Sequence, residues 1–237
     1  MSGEKPPPIR LWLRELPLLP AIWVNKARRV KPGELKRCPR EGQPVLVFPG
    51  ILSGDRATSL LRRSLDAAGF RAFPSTFRLV TGVNEETFAQ AEARLDEVAG
   101  QCGCKPVLVG WSLGGIIARV LAQRHPDKVA MVVTLGSPFS GDRHANNAWR
   151  IYNAMNDHTV DDPPLPDDPS VKPPVHTVAL WSRNDGVIAP ECARGRDGER
   201  DVAIEVPARH FAYGSSRRQV AEIVGIISEQ LARIDDS

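Results

Sequence analysis

The run Val107-Leu108-Val109-Gly110-Trp111-Ser112-Leu113-Gly114-Gly115-Ile116-Ile117-Ala118-Arg119-Val120 constrains the fold more than any other part of the chain. Its first three residues are apolar and β-favouring and read as a buried strand, while the residues from Leu113 onward read as a helix. Between them a serine is bracketed by glycines at 110, 114 and 115. A strand that enters a helix through so short a turn brings two backbones together, and the points of closest approach leave no room for a side chain. A serine in that turn is forced into a strained conformation that presents its hydroxyl at the end of the strand. A bare G-x-S-x-G string arises by chance and reads equally as a Gly-rich turn. The strand before it and the helix after it give this one its context.

The rest of the chain repeats the same alternation. Apolar runs at Val45 to Phe48, Phe70 to Phe73, Val107 to Val109, Val129 to Leu135, Val175 to Trp181 and Val202 to Val206 read as six strands. Stretches at Thr58 to Ala68, Glu85 to Ala99, Leu113 to Arg124 and Arg217 to Arg233 read as helices, the second opening on Asn84 as N-cap and ending near Gly100. Strands alternating with helices predict an α/β fold, a parallel sheet covered on both faces. About 40 residues separate Leu135 from Val175, far more than a simple connection needs. The first half of that insert, His144 to His158, has helical character, and the Pro/Asp run from Asp161 to Pro174 reads as irregular. An insert at the carboxyl edge of a parallel sheet lies over the crevice where such folds bind ligands, so residues 137–174 are expected to form a small cap. Its apolar residues Phe139, Trp149, Ile151, Tyr152 and Met155, together with Trp111, are the candidate pocket wall.

A serine hydroxyl is a poor nucleophile at its free pKa. It needs a histidine to take its proton and a carboxylate to orient that histidine. Around an elbow of this kind the chain order is serine, acid, histidine. Asp185 lies just past the strand ending at Trp181, and His210 just past the one ending at Val206. Asp142, after the strand ending at Leu135, is the competing acid, whereas Asp161, Asp162, Asp167 and Asp168 read as solvated loop. Among the other histidines, His125 sits at a helix end, His144 and His158 lie in the insert, and His176 starts a strand. An acyl-transfer intermediate also needs two backbone N–H donors for its oxyanion. Leu113 supplies one by position, and the loop Phe48-Pro49-Gly50-Ile51-Leu52-Ser53-Gly54 supplies the other through Ile51, with Leu52 second and a plain Gly-rich loop as the alternative.

Taken together, Val45 to Gly54, Gly110 to Gly115, Thr134-Leu135-Gly136-Ser137-Pro138, Asp185-Gly186 and His210 resemble the α/β-hydrolase superfamily over roughly residues 44–233. The Leu-Gly-Ser-Pro run resembles bacterial lipases and esterases in particular. Two departures are Pro49 and Trp111, each standing where many lipases carry histidine. The resemblance implies a mainly parallel sheet of about six strands; the antiparallel strands that often open such a sheet are not evident in this sequence, so a reduced version is expected. It implies a carboxylic-ester hydrolase working through an acyl-Ser112 intermediate with Asp185 and His210 on a small-molecule or lipid ester, and using no cofactor. An acyltransferase or thioesterase with the same triad, and a non-catalytic binding protein of the same fold, stay open as alternatives. A missing triad member would favour the last, and none is missing.

Composition bounds the remaining choices. With 237 residues and 42% hydrophobic content the chain can bury one sizeable core, and a formal charge of +3 points away from a nucleic-acid binder. The charge is uneven. Residues 1–40 hold ten basic residues against three acidic ones, leaving 21 basic and 25 acidic residues for the rest. Residues 1–43 are thus set apart as a basic, apolar arm preceding a catalytic domain over 44–237. Trp12, Leu13, Leu16, Leu18, Leu19, Ile22 and Trp23 in that arm suit either a membrane interface or packing on the domain's own surface or on a second subunit. The apolar stretch Ile9 to Val24 is broken by Arg10, Arg14, Glu15, Pro17 and Pro20, so no spanning helix is expected there. No secretory signal pattern opens the chain, and the cytoplasm is the expected compartment. Cys38, Cys102, Cys104 and Cys192 are accordingly expected as free thiols, with no metal site completed by Cys102 and Cys104.

Overall fold

A computed structural model describes residues 4–20 and 29–235. Among the described residues, six strands form one sheet: β1 (Pro44–Phe48), β2 (Arg71–Pro74), β3 (Val107–Trp111), β4 (Met131–Leu135), β5 (His176–Trp181) and β6 (Val202–Glu205). Their order is β2-β1-β3-β4-β5-β6, and every neighbouring pair is parallel. No antiparallel pair occurs in this sheet among the described residues.

The central strands are buried on both faces, which is why they read as unbroken apolar runs rather than alternating ones. Alternate residues serve opposite cores. Val45, Val47, Val107, Val109, Met131 and Val133 face α2 (Ser59–Ala67) and the carboxyl-terminal helix α8 (Arg217–Asp235). Leu46, Phe48, Leu108 and Val132 face α3 (Glu85–Cys102) and α4 (Leu113–Arg124). The shorter helices are α1 (Ile9–Glu15), α5 (Trp149–Met155), α6 (Pro190–Arg194) and α7 (Ala212–Ser215). No helix among the described residues is long and apolar enough to cross a membrane.

Two sequence expectations shift. Asn84 caps α3 as expected, accepting from Thr87 N–H at 2.9 Å, but the helix runs past Gly100 to Cys102. It stops at Gly103, whose φ of +65° is the left-handed conformation that closes a helix with least strain in glycine. The insert is also more firmly held than a solvated loop. Arg124 forms an ion pair with Asp167, whose carboxyl is thereby held below the usual range, and Gln123 Nε2 donates to the carbonyls of Asp168 and Val171.

The arm also enters the body of the protein. Val30, Leu35 and Cys38 join the core beneath α2 and α8, and Glu15 at the end of α1 is buried. Ile9, Leu13, Leu16 and Leu19 stay exposed, while Ile22 and Trp23 fall outside the described residues.

Candidate active site

The chain reverses its direction of travel across the sheet between β1 and β3, which are neighbours although β2 intervenes in sequence. Loops leaving the carboxyl ends of two such strands diverge and open a crevice. Here those loops are 49–54 and the elbow at Ser112. Ser112 has φ +54° and ψ −123°, a conformation rarely occupied by a residue with a side chain and costing about 1–3 kcal/mol. The surroundings enforce it. A Cβ on Gly110 would stand 2.2 Å from the Gly114 carbonyl oxygen, and one on Gly114 would stand 2.5 Å from the Phe48 carbonyl oxygen, so strand, helix and the first loop meet without side chains between them.

The expected partners converge on neighbouring strand ends. Asp185, 1% exposed, follows β5, and His210, 2% exposed, follows β6. His210 Nδ1 lies 2.8 Å from Asp185 Oδ2. Asp185 Oδ1 accepts from the N–H groups of Val187 and Ile188, both at 2.8 Å, so the carboxylate is fixed in its turn. Burial alone would lower the imidazole pKa. The charge and hydrogen bond of Asp185, with a further contribution from Glu15, outweigh it and raise the pKa above its ordinary value.

Trp111 takes a role different from the expected one. It is not a pocket residue: it packs in the core on the α2/α8 face, and its Nε1–H donates to the His210 carbonyl at 3.1 Å. This bond ties the histidine loop to the residue before Ser112. Among the described residues no hydrogen bond joins Ser112 Oγ to His210; the histidine reaches the elbow through Trp111.

The rejected alternatives have other partners. Asp142 is exposed at the surface, where its Oδ1 accepts from His144 N–H. His125 lies by Glu92, His144 by Asp161, His158 by Tyr152 and His176 by Gln230. Burial pushes the thiols of Cys38 and Cys192 up, away from the reactive thiolate form.

Leu52 N–H donates to the Val80 carbonyl at 2.7 Å and is spoken for. Ile51 N–H and Leu113 N–H have no partner among the described residues, and both residues line the cavity that Ser112 opens onto. Gly50 brings the first loop against the elbow, since a Cβ there would lie 3.1 Å from Ser112 Cβ. The cavity has a volume of about 330 Å³. Phe139, Trp149 and Tyr152 line it as expected, joined by Ile116, Val120 and Leu165. Met155 and Ile151 do not: they sit on the outer face of α5, 47% and 44% exposed.

With this geometry in hand, comparison with known proteins bears on the fold. A family model described as alpha/beta hydrolase fold matches residues 102–170, the stretch that includes β3, the elbow, β4 and most of the insert that follows it. The chain has the α/β-hydrolase fold. A monoacylglycerol lipase from Paleococcus ferrophilus superposes with TM-score 0.57 at 17% identity, covering 84% of this chain and 97% of that one. An alpha/beta superfamily hydrolase from Oenococcus oeni PSU-1 gives TM-score 0.60 at 13% identity, over 81% and 94%. A pimeloyl-[acyl-carrier protein] methyl ester esterase of Neisseria meningitidis serogroup C is 49% identical over 51 residues, which is 20% of either chain. The chain thus spans a fifth of the length of that curated relative.

Glu15 and Arg119 were not singled out by sequence reasoning. Glu15 is the single acid between residues 5 and 33, a signal that was present. Arg119 is fully buried in α4 and donates to the carbonyls of Pro169, Ser170, Val171 and Glu199 at 2.5, 3.3, 3.3 and 2.7 Å. Burial lowers its pKa to about 10, and its guanidinium stacks on Phe139 at 4.0 Å. One buried cation therefore pins the far end of the insert to the elbow helix.

Proposed function

We propose that this protein is a serine carboxylic-ester hydrolase with Ser112, Asp185 and His210 as its triad. The observation that carries the reading is the strained Ser112 at the mouth of an apolar cavity, with a buried Asp185–His210 pair roped to its elbow through Trp111.

His210 Nε2 takes the proton as Ser112 Oγ attacks the ester carbonyl, and Asp185 holds the imidazole and stabilises its cation. Ile51 and Leu113 N–H groups receive the oxyanion. His210 then protonates the departing alcohol, leaving acyl-Ser112, and a water activated by the same imidazole releases the acid. The unengaged serine is compatible with this sequence, because catalytic hydrogen bonds are often long without substrate and tighten when it binds. The names of the fold's relatives, a monoacylglycerol lipase and an acyl-carrier-protein methyl ester esterase among them, point to esters with an aliphatic acyl group. The apolar lining by Leu113, Ile116, Val120, Phe139 and Trp149 suits such a group.

A fluorophosphonate probe with intact-mass readout, followed by a panel of esters of graded acyl length, tests the proposal. One adduct per chain at Ser112 and turnover of the ester panel are expected. Adduct formation without turnover of any ester would overturn the hydrolase reading in favour of transfer to another acceptor.

A further inference from the structure

We propose that Glu15 is a positioning residue of this same site: its carboxylate clamps the acid turn to the histidine loop and sets a second buried anion beside His210. The inference rests on the triad reading above.

Glu15 is 1% exposed, and no cationic side chain pairs with it among the described residues. A buried carboxylate is tolerated only when donors replace the lost water. Here the donors are three backbone N–H groups. Oε1 accepts from Gly186 at 3.0 Å and from His210 itself at 2.8 Å, and Oε2 accepts from Phe211 at 3.2 Å. Gly186 directly follows Asp185, so one carboxylate holds both loops of the pair.

The helix that carries Glu15 is seated for this. A Cβ on Gly186 would lie 2.4 Å from the Leu11 carbonyl oxygen, so only glycine admits α1 this close to the acid turn. Arg209 donates to the Arg14 carbonyl at 2.6 Å, and Asn147 to the Pro7 carbonyl at 3.0 Å. The charged and titratable groups around His210 are Asp185 from the β5 turn, Glu15 from α1 and Tyr213 from α7, with Glu222 of α8 behind Tyr213 and Arg209 engaged on α1. Both acids nearest the ring favour its protonated form. Stabilising that form is what proton transfer from Ser112 requires.

The test titrates the His210 ring by nitrogen NMR in the full chain and, in parallel, follows the pH dependence of Ser112 labelling by a fluorophosphonate. Glu15→Gln removes the charge at nearly constant shape. The His210 midpoint is expected to fall by about half a pH unit or more, the acid limb of labelling to move down with it, and the plateau rate to drop about 10- to 100-fold. A midpoint and limb that stay at the wild-type values would overturn the proposal. Should Glu15→Gln not fold, Glu15→Asp decides: withdrawing the carboxylate by one methylene shifts the limb down by a smaller step, and an unmoved limb overturns the proposal. The two readouts separate the two claims. A shifted midpoint in a protein that never labels at Ser112 keeps Glu15 and refutes the hydrolase, whereas normal labelling with an unmoved midpoint does the reverse.

Discussion

At the scale of single residues, the site is built from positions that cost stability. Ser112 sits in a region of backbone space that glycine occupies freely, so Ser112→Gly is expected to raise stability by about 1 kcal/mol while abolishing activity, measured by urea unfolding. Ser112→Ala keeps the Cβ and gains little. Asp185→Asn is expected to cost about three to four orders of magnitude in turnover, since the amide no longer balances the imidazolium. Asp142→Asn is expected to cost less than threefold, because Asp142 is exposed and holds only His144. Ester hydrolysis by the paired variants checks this, and the reverse ranking would move the acid to the earlier strand. That Ser112, Asp185 and His210 lie at one sheet edge was legible because each closes a strand, in an order that chemistry and topology restrict. Glu15 was not, since its partners lie 171 to 196 positions away and no local pattern announces a contact of that range. Trp111 was misplaced for a related reason: alternation along β3 puts it on the face opposite the cavity, and the elbow conceals which face that is.

At the scale of elements, all six strands were readable to within a few residues: the inner four because two-sided burial demands continuous apolar runs, and the partly exposed edge strands β2 and β6 from their short apolar runs. The insert after β4 was readable only as an interruption. Its irregular half carries no periodicity, and what orders it is the underside of α4, through Arg119 and Arg124. Arg119→Met keeps the volume and leaves the carbonyls of Pro169, Ser170 and Glu199 without this donor, while Val171 keeps Gln123. A loss of about 2–4 kcal/mol is expected, seen as a fall in Tm of roughly 5–15 °C for a chain of this size. An unchanged Tm would mean that the cap holds itself. Trp149 on α5 bounds the cavity, so Trp149→Ala is expected to extend the longest acyl chain accepted rather than slow every ester alike, each further buried methylene contributing about 0.8 kcal/mol. Rates across a chain-length series decide between the two.

At the scale of the whole molecule, the reversal between β1 and β3 gathers the elbow and the donor loop, and two further strand ends bring the acid and the histidine beside them. The N-terminal segment then closes the arrangement from outside, with α1 resting against the Asp185 turn and the His210 loop. With the imidazole held above its ordinary value by Asp185 and then Glu15, hydrolysis is expected to rise with pH through an acid limb lying above about 6.5, because only the neutral ring takes the serine proton. A kcat/KM profile flat from pH 5 to 8 would contradict that. The proposed chemistry turns on one atom, Ser112 Oγ. Intact-mass and peptide mapping after fluorophosphonate treatment test it most directly: a single adduct at Ser112 that vanishes, along with ester hydrolysis, in a folded Ser112→Ala variant is the expected result, and an adduct or hydrolysis that survives in that variant contradicts it.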